Sequence, residues 1–316
     1  MDPGERLRIG VSACLAGSAV RFDGGHCRNE LVAALGRFAE LVPVCPEVEL
    51  GLGVPRETLR LERGDGLVRL RASRTGRDLT APMQHWAAAR ASGLCAERLD
   101  GFVGKRASPS CGFERVRVHD LRGSSTRDGR GLFVTALLAA DPLLVVEEEG
   151  RLRDASLREN FLVRLVIGRR LRRLFTRPWR RGELVALHTS IKLELLAHSP
   201  AAYRALGRLV AAAKDHAPVD LARAYCHAVT EALAIVPTRG RHVNVLQHMA
   251  GYVSSELAED DRRELGELIE HYRRGREPRT TPLALIRHHV RRQQIVYLAQ
   301  QSYLDAMPRH ALEGVA

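Results

Sequence analysis

The sequence has no long hydrophobic run, few aromatic residues and few cysteines. The N-terminal stretch MDPGERLRIGVSACLAG contains no apolar segment of the length that a secretory signal or a membrane span needs, so we expect a cytoplasmic protein that does not enter a membrane. Six cysteines in 316 residues, without an export signal, do not indicate a disulfide framework. In a reducing compartment, cysteines that lie in proline- and glycine-rich loops are more often metal ligands or nucleophiles. Aromatic residues make up 5% of the chain, so base stacking on many rings is not expected.

Basic residues are plentiful, and they are unevenly distributed. Residues 1–155 contain 23 Lys and Arg against 21 Asp and Glu, a net charge of +2, whereas residues 156–316 contain 26 against 16, a net charge of +10. Eight arginines and no acidic residue lie between Arg164 and Arg181. A solvated helix face would explain a charge run, but such faces usually mix both signs. The pattern therefore favours a surface that binds a polyanion, and nucleic acid fits better than membrane.

Hydrophobic periodicity divides the chain into two domains. Up to about residue 155, apolar strands alternate with helices, which predicts an α/β domain with a layered, mostly parallel, Rossmann-like sheet. From Ser156 onward the pattern is helical throughout and is interrupted by prolines, which predicts an all-α domain. We assign residues 1–155 to the first domain, 156–182 to a basic connecting helix and 183–316 to the second domain. The helical segments are 156–174, 183–198, 200–214, 219–235, 240–257, 260–274 and 282–301.

Three cysteines share a local context in the first domain. Cys14, Cys45 and Cys111 each follow a predicted strand, in SACLAG, VCPEVELG and SPSCGFERV. Loops at the carboxyl ends of parallel strands meet at one crevice, so three distant thiols can converge there. Three thiolates suit an iron–sulfur cluster that keeps one iron open, whereas a structural zinc site normally takes four ligands. Spacing alone leaves metal ligation and core packing as equal alternatives.

The segments around these cysteines resemble a known family. VSACLAGSAVRFDGGHCRN, VPVCPEVELGLGVPRETLRL, GFVGKRASPSCGFERV and VEEEGRLRDASLRENF are similar to motifs of the TudS thiouracil desulfidases, and the resemblance covers residues 8–160. Residues 183–308, with LHTSIKLELLAHSP, PTRGRHVNVLQHMAGY and PLALIRHHVRR, resemble the YbgA-like all-α domain. The fusion of the two is similar to the RudS-type tRNA 4-thiouridine desulfidases. The resemblance implies non-redox removal of sulfur from 4-thiouridine in tRNA.

The resemblance also implies roles for individual residues. Cys14, Cys45 and Cys111 would hold a [4Fe–4S] cluster whose fourth iron binds the substrate sulfur. Glu47 would be a catalytic acid–base group, although a solvated loop acid or a partner for Arg56 is the alternative. The family's serine in the SPSC loop matches Ser108 better than Ser110, so Ser108 would be catalytic, and we expect Ser110 to help bind the substrate.

Further binding residues are predicted in the same domain. Asp23 and Asn29 would hydrogen-bond the pyrimidine edge, with turn-forming side-chain bonds as the alternative. Lys105 would support phosphate or cluster charge, unless it is an ordinary surface lysine. Cys27 stands where a basic residue is more usual in the family, so it is either a free thiol or a fourth cluster ligand. Cys95 and Cys226 fit packing positions in helices.

The predicted partner is thiolated tRNA, which the second half of the chain would bind. Phosphate contacts dominate the affinity of such complexes. Two rival functions remain: desulfidation of free thiouracil bases or nucleosides, and RNA binding without catalysis by a protein with a structural or sensing cluster. The pattern leaves both monomer and homodimer open. The predicted RNA-binding residues are Arg169, Arg170, Arg172, Arg173, Arg239, Arg241, His242, Arg287, Arg291 and Arg292.

Overall fold

The computed structural model describes residues 6–120 and 122–304, which form two compact units. The division falls between Gly168 and Arg169, inside one long helix and within the segment assigned from sequence to a connecting helix. The strands are β1 (Leu7–Ser12), β2 (Ala39–Val44), β3 (Leu59–Gly64), β4 (Leu67–Ala72), β5 (Gly101–Gly104), β6 (Val116–Asp120), β7 (Ser125–Gly129) and β8 (Val145–Glu148). The helices are α1 (Glu30–Leu35), α2 (Pro46–Glu49), α3 (Thr80–Ala96), α4 (Leu132–Ala140), α5 (Ala155–Phe175), α6 (Arg181–His198), α7 (Pro200–Ala211), α8 (Pro218–Ala234), α9 (Arg239–Val253), α10 (Glu259–Arg273), α11 (Thr280–Arg292) and α12 (Val296–Ala299).

The first unit is built on a four-stranded parallel sheet, which we call the central sheet. Its strand order is β2-β1-β5-β8, and every neighbouring pair is parallel. From β1 the chain first adds β2 on one side and later adds β5 on the other side. The order therefore reverses between β1 and β5, and open α/β sheets bind ligands at the carboxyl ends of the strands next to such a reversal. The predicted α/β fold with a mostly parallel sheet is confirmed.

Apolar side chains on both faces of the central sheet explain why it is covered by helices. On one face, Ile9 and Val11 of β1 pack with Val32 of α1 and Phe161 of α5, all of them buried. On the other face, Phe102 of β5 packs with side chains of α3 and α4. Short strands that are apolar on both faces are typical of a parallel sheet buried between two helical layers. This packing fixes the strand ends, from which the functional loops project.

A second, mixed sheet, which we call the side sheet, was predicted only in part. Its order is β4-β3-β6-β7; only β3 and β6 pair in parallel. Leu61, Leu70, Val116 and Val118 form its buried face. The alternation in LVRLRA, residues 67–72, predicts an exposed strand and fits β4. The other strands of this sheet were missed, because they are short and contain charged residues, and because β3 and β6 pair across more than 50 residues. Alternation of charged and apolar residues over so few positions is a weak signal.

The second unit is all-α, as predicted. Helices α6 to α11 follow the predicted helical segments 183–198 to 282–301, and a large apolar cluster between them includes Leu246, Met249 and Ile286. One difference lies near its end, where a single helix was expected over 282–301. Helix α11 stops at Arg292 and Gln294 has a φ of 54°, a left-handed conformation that ends the helix before α12. Among the described residues, no helix is both long and apolar enough to span a bilayer.

Candidate active site

A cavity of about 230 Å³ opens at the carboxyl edge of the central sheet, where the strand order reverses. Cys14 follows β1, Cys45 follows β2, and Cys111 lies in the loop after β5. All three line this cavity, together with Glu47 and Ser108. The fold thus brings together three thiols that are separated by 31 and 66 residues in sequence (45−14 and 111−45).

Backbone hydrogen bonds fix the first two cysteines relative to each other. The amide of Ala13 donates to the carbonyl of Val44 at 2.9 Å, which joins the ends of β1 and β2 just before both cysteines. Cys45 is the residue before α2, and Pro46 occupies the first helical position, where proline is well tolerated. The amide of Cys45 donates to the Glu49 carboxylate at 3.1 Å. These contacts fix the backbone of Cys45 in a turn between β2 and α2, and so they position its thiol.

The loop that carries Cys111 is held by Ser108 and by close backbone packing. The Ser108 hydroxyl oxygen accepts hydrogen bonds from the amides of Ser110 at 3.2 Å and Cys111 at 3.1 Å. The loop also presses on two glycines: a Cβ at Gly104 would lie 2.0 Å from the carbonyl oxygen of Cys111, and one at Gly131 would lie 2.4 Å from that of Ser110. Only glycine fits at these two positions without a shift of the backbone.

Substituting Gly104 tests this packing. We expect Gly104→Ala to destabilise the protein by about 3 kcal/mol, the upper end of the usual cost of overpacking, and to lower the iron bound after reconstitution. The matched control is Gly93→Ala in α3, because a Cβ there meets nothing within 4 Å. That change should stabilise the helix by about 0.5–1 kcal/mol. Thermal unfolding and iron content measure both effects, and equal stability of the two variants would contradict the packing described.

Burial keeps the thiols protonated in the absence of a bound cation. Burial raises the pKa of the Cys111 thiol well above its usual range. It is also the main reason that the pKa of Cys14 rises to about 11; the neighbouring Cys27 and Cys45 thiols raise it further, and Lys105 and Arg21 lower it. Three thiolates at one cavity repel one another, so added positive charge favours their ionisation. Bound metal ions supply that charge and displace the thiol protons.

The donor set fits a polynuclear cluster better than a single ion. Among residues 6–120 and 122–304, no group of three or more His, Cys, Asp or Glu side chains is close enough to hold one metal ion. The three cysteines nevertheless line one cavity. Three soft sulfur donors at one cavity suit an iron–sulfur cluster with one iron open, whereas a structural zinc ion normally takes four ligands.

Glu47 is held at the cavity by two neighbours. Its Oε2 accepts hydrogen bonds from Arg56 Nε at 2.9 Å and Nη2 at 2.6 Å, and its Oε1 accepts one from the Ser110 hydroxyl at 3.0 Å. The Arg56 side chain is only 7% exposed and also donates to the carbonyls of Val20 and Gly53, each at 3.0 Å. Glu47 is thus a partner of Arg56 and a cavity residue at once. Oε1 accepts a single hydrogen bond and so retains a lone pair for a further donor, whereas both lone pairs of Oε2 are used by Arg56.

The other residues predicted to bind substrate occupy different positions. Ser110 is fully buried and reaches the cavity only through Glu47. Lys105 lines the cavity and forms an ion pair with Glu149. Asp23 and Asn29 are not among the lining residues: the Asp23 carboxylate accepts from the Gly25 amide at 3.0 Å, and the Asn29 side chain caps α1 through the Val32 amide at 3.1 Å. These are the turn-forming bonds weighed as the alternative.

The remaining cysteines lie outside the cavity lining. The Cys27 thiol accepts a hydrogen bond from Arg21 Nη1 at 3.0 Å, and its amide donates to the Cys14 carbonyl at 2.9 Å. Cys27 is therefore a neighbour of the site with an existing side-chain partner. Cys95 and Cys226 lie on α3 and α8.

Sequence reasoning overlooked two residues that complete the site. The buried Ser12, at the end of β1, forms a hydrogen bond that lowers the pKa of Cys111, and its hydroxyl oxygen accepts from the Lys105 amide at 2.9 Å. Arg21 lines the cavity and lowers the pKa of Cys14. Both belong to the motif VSACLAGSAVRFDGG, but a serine at a strand end and a loop arginine carry no distinctive pattern of their own.

Several residues predicted to bind RNA make internal contacts in the second unit. The Arg170 guanidinium donates to the Ser190 hydroxyl at 2.8 Å, and that of Arg241 donates to the His198 carbonyl at 2.6 Å. The His242 ring contacts the Tyr303 hydroxyl at 2.6 Å. Arg287 donates to the Leu304 carbonyl at 2.7 Å. These side chains link helices of the unit, whatever else they bind.

The rest of the predicted RNA-binding set is more accessible. Arg173, Arg239, Arg291 and Arg292 are exposed, whereas Arg169 and Arg172 are half-buried. The Arg239 guanidinium lies 5.7 Å from the centre of the Tyr272 ring, within cation–π range. Arg239, Arg291 and Arg292 are thus accessible to a polyanion.

Comparison with known proteins places this site in a family. The model of the 2-thiouracil desulfurase family matches residues 9–149. The chain is 30% identical over 144 residues to the uncharacterized protein YbbK of Bacillus subtilis (strain 168). The match covers 44% of this chain and 95% of that protein. The chain belongs to the 2-thiouracil desulfurase family. Membership confirms the prediction of an enzyme that removes sulfur from thiouracil.

The second unit has its own relatives. The model of a protein family of unknown function, DUF1722, matches residues 192–308. The chain is 33% identical over 152 residues to the uncharacterized protein YbgA of Escherichia coli (strain K12), which covers 48% of this chain and 90% of that protein. The predicted fusion of a TudS-like with a YbgA-like region is confirmed.

One solved structure is also similar. It is described as the [4Fe–4S]-dependent thiouracil desulfidase TudS and is 31% identical to this chain. The match covers 49% of this chain and 98% of that one, with a TM-score of 0.40.

Proposed function

We propose that this 2-thiouracil desulfurase family member is a [4Fe–4S]-dependent, non-redox desulfidase that converts 4-thiouridine in tRNA to uridine. The observation that carries the proposal is the convergence of Cys14, Cys45 and Cys111 on one cavity that also contains Glu47. The reaction consumes one water: the ring C=S bond is replaced by C=O, and the sulfur leaves as hydrogen sulfide. No electron is gained or lost, so no redox partner is needed.

The three cysteines would hold the cluster. A [4Fe–4S] cluster held by these three thiolates would leave one iron open to the soft thiocarbonyl sulfur and would supply Lewis acidity that makes the ring carbon more electrophilic. The positive charge of the metals would also stabilise the three thiolates, which partial or full burial disfavours.

Glu47 would act as the general base. Its carboxylate would remove one proton from the water that attacks the ring carbon and return that proton to the departing sulfur. The second proton of the water, lost from the ring hydroxyl as the carbonyl forms, would pass to the sulfur by the same carboxylate and complete the hydrogen sulfide. Arg56 and Ser110 orient the carboxylate from two sides, through bonds of 2.6–3.0 Å. The Ser108 hydroxyl oxygen would continue to accept from the amides of Ser110 and Cys111, and its hydroxyl group would donate a hydrogen bond to the water or to the ring.

The charge of the chain supports a polyanionic substrate. The second half has a net charge of +10, and Arg173, Arg239, Arg291 and Arg292 are exposed there. Contacts with phosphates would supply most of the affinity for tRNA. A tRNA substrate would also place the reaction in the cytoplasm.

Substrate comparison tests the proposal. We expect kcat/KM for 4-thiouridine-containing tRNA to fall at least about tenfold when salt rises from about 50 to about 200 mM, because several phosphate contacts are lost. The value for free 4-thiouracil should change little over that range, since a neutral base releases no counterions. Turnover of free 2-thiouracil or 4-thiouracil without any turnover of tRNA would instead support an enzyme of free bases or nucleosides.

A further inference from the structure

A second, larger cavity of about 870 Å³ adjoins the active-site cavity in the same unit. We call it the basic groove. It runs along the side sheet, and its lining contains residues of β3 and β6 as well as Arg127 of β7. The two cavities share one wall. The shared residues are Leu59, Lys105, Arg106, Ala107 and Pro109.

Cationic side chains dominate the lining of the basic groove. Four of them are exposed and make no ion pair with any described residue: Arg106, Arg115, Arg117 and Arg127. Three others already have an acidic partner, since Arg60 pairs with Glu62, Lys105 with Glu149 and Arg151 with Glu147. His119 also lies on the groove.

The acidic residues of the groove do not neutralise the four arginines. Glu148 is buried, and its carboxylate accepts from the amides of Phe113 at 2.9 Å and Glu114 at 3.4 Å. Glu114 lies 3.8 Å from Arg151. Both carboxylates therefore have other partners, and the four exposed cations remain available.

Strand geometry explains how Arg117 comes to face the groove. Successive side chains of a strand point to opposite faces. Val116 and Val118 of β6 are buried in the core of the side sheet, so Arg117 between them points to the open face. Unpaired like charges on one concave surface repel each other and concentrate an external anion. The arrangement is unfavourable for the isolated fold and favourable for a ligand with several negative charges.

We propose that the basic groove binds the phosphodiester backbone of the RNA strand that carries the thiolated nucleotide. The shared wall lets a strand lie in the groove while its base enters the catalytic cavity, as enzymes that act on a base require. Arg106, exposed on that wall, contacts the phosphate nearest to the target base. This inference rests on the proposed function, and it locates RNA contacts in the half of the chain whose net charge is only +2.

Charge reversal in the groove tests the inference. The double variant Arg117→Glu/Arg127→Glu removes two phosphate contacts, whereas the matched control Arg37→Glu/Arg77→Glu makes the same charge change at exposed residues that line neither cavity. Fluorescence anisotropy with labelled tRNA measures the Kd of both, with and without the cluster. We expect the groove variant to weaken binding at least about tenfold and to reduce the slope of log Kd against log salt by about 2, and the control to stay within about twofold of wild type.

Catalysis gives an independent readout. The groove variant should lower the ratio of kcat/KM for tRNA to kcat/KM for 4-thiouracil at least about tenfold, because only the tRNA uses the groove. Equal Kd, salt slope and ratio in groove and control variants would overturn the inference. If the glutamate variant unfolds at a lower temperature than wild type, the binding measurement is repeated with Arg117→Gln/Arg127→Gln. We expect the same reduction in the slope of log Kd against log salt.

The outcomes separate this inference from the proposed function. Wild-type turnover of tRNA with no effect of the groove variant would refute the groove and leave the function in place. Groove-dependent tRNA binding with no sulfide release would refute the function and leave the groove.

Discussion

Replacing Cys111 with alanine is expected to abolish both the iron–sulfur chromophore and all sulfide release. Cys111 is 5% exposed, and its loop is fixed by Ser108 and by contact with Gly104, so alanine removes the thiol and leaves the loop in place. Loss of one of three thiolates removes an anchor of the cluster, and the metal-dependent part of the reaction goes with it. Cys14→Ala and Cys45→Ala should give the same result.

The measurement is iron content and visible absorbance after anaerobic reconstitution, followed by sulfide release with 4-thiouracil. Cys95→Ala is the matched control, because Cys95 lies on α3 away from the cavity lining, and it should retain both signals. Cys27→Ser is the informative variant. A retained cluster agrees with a free thiol at Cys27, whereas a lost cluster makes Cys27 a fourth ligand and contradicts an open iron.

Replacing Glu47 with glutamine is expected to lower kcat by about 10²–10⁴-fold while the cluster stays bound, which is the usual effect of removing a general base. Glutamine has nearly the same shape and can still accept from Arg56 through its single carbonyl oxygen, while its amide nitrogen donates to the Ser110 hydroxyl oxygen, but it takes up no proton. The change also leaves the buried Arg56 without its anionic partner, so some loss of stability is expected. Glu47→Asp retains a carboxylate, so its kcat should lie between that of wild type and that of Glu47→Gln.

Single-turnover kinetics with 4-thiouracil on cluster-loaded protein separate chemistry from stability. Glu40→Gln serves as the control, because Glu40 is an exposed carboxylate paired with Arg8 at 3.2 Å and lines neither cavity. Its kcat should equal that of wild type. An unchanged kcat for Glu47→Gln, with full cluster content, would reduce Glu47 to an ion-pair partner of Arg56.

The central sheet and the convergence of three cysteines could be predicted because each depends on short, local signals. Apolar strands of about six residues followed by Cys in a turn mark strand ends, and the topology of parallel sheets brings such ends together. The geometry of Cys14, Cys45 and Cys111 follows from this rule without knowledge of the side-chain contacts. The fold class of the second unit was equally accessible, because its helices are long and periodic.

Features that depend on distant pairing could not be predicted. Strand β6 pairs with β3 across more than 50 residues, and nothing in the sequence VRVHD indicates that partner. The basic groove follows from that pairing, so the count of charges in residues 1–155 concealed it. Conversely, the density of arginine in the second half led to too many predicted RNA contacts, since Arg170, Arg241 and Arg287 hydrogen-bond within the fold.

The most direct test of desulfidation follows product and sulfide together. Anaerobically reconstituted protein is incubated with 4-thiouridine-containing tRNA, without any electron donor or acceptor, while the thiouridine absorbance and released sulfide are recorded. Non-redox desulfidation predicts one sulfide for each thiouridine converted to uridine, at a rate that added reductant does not change. Protein with a full cluster that leaves the thiouridine intact, or that releases sulfide only with a redox partner, would contradict it.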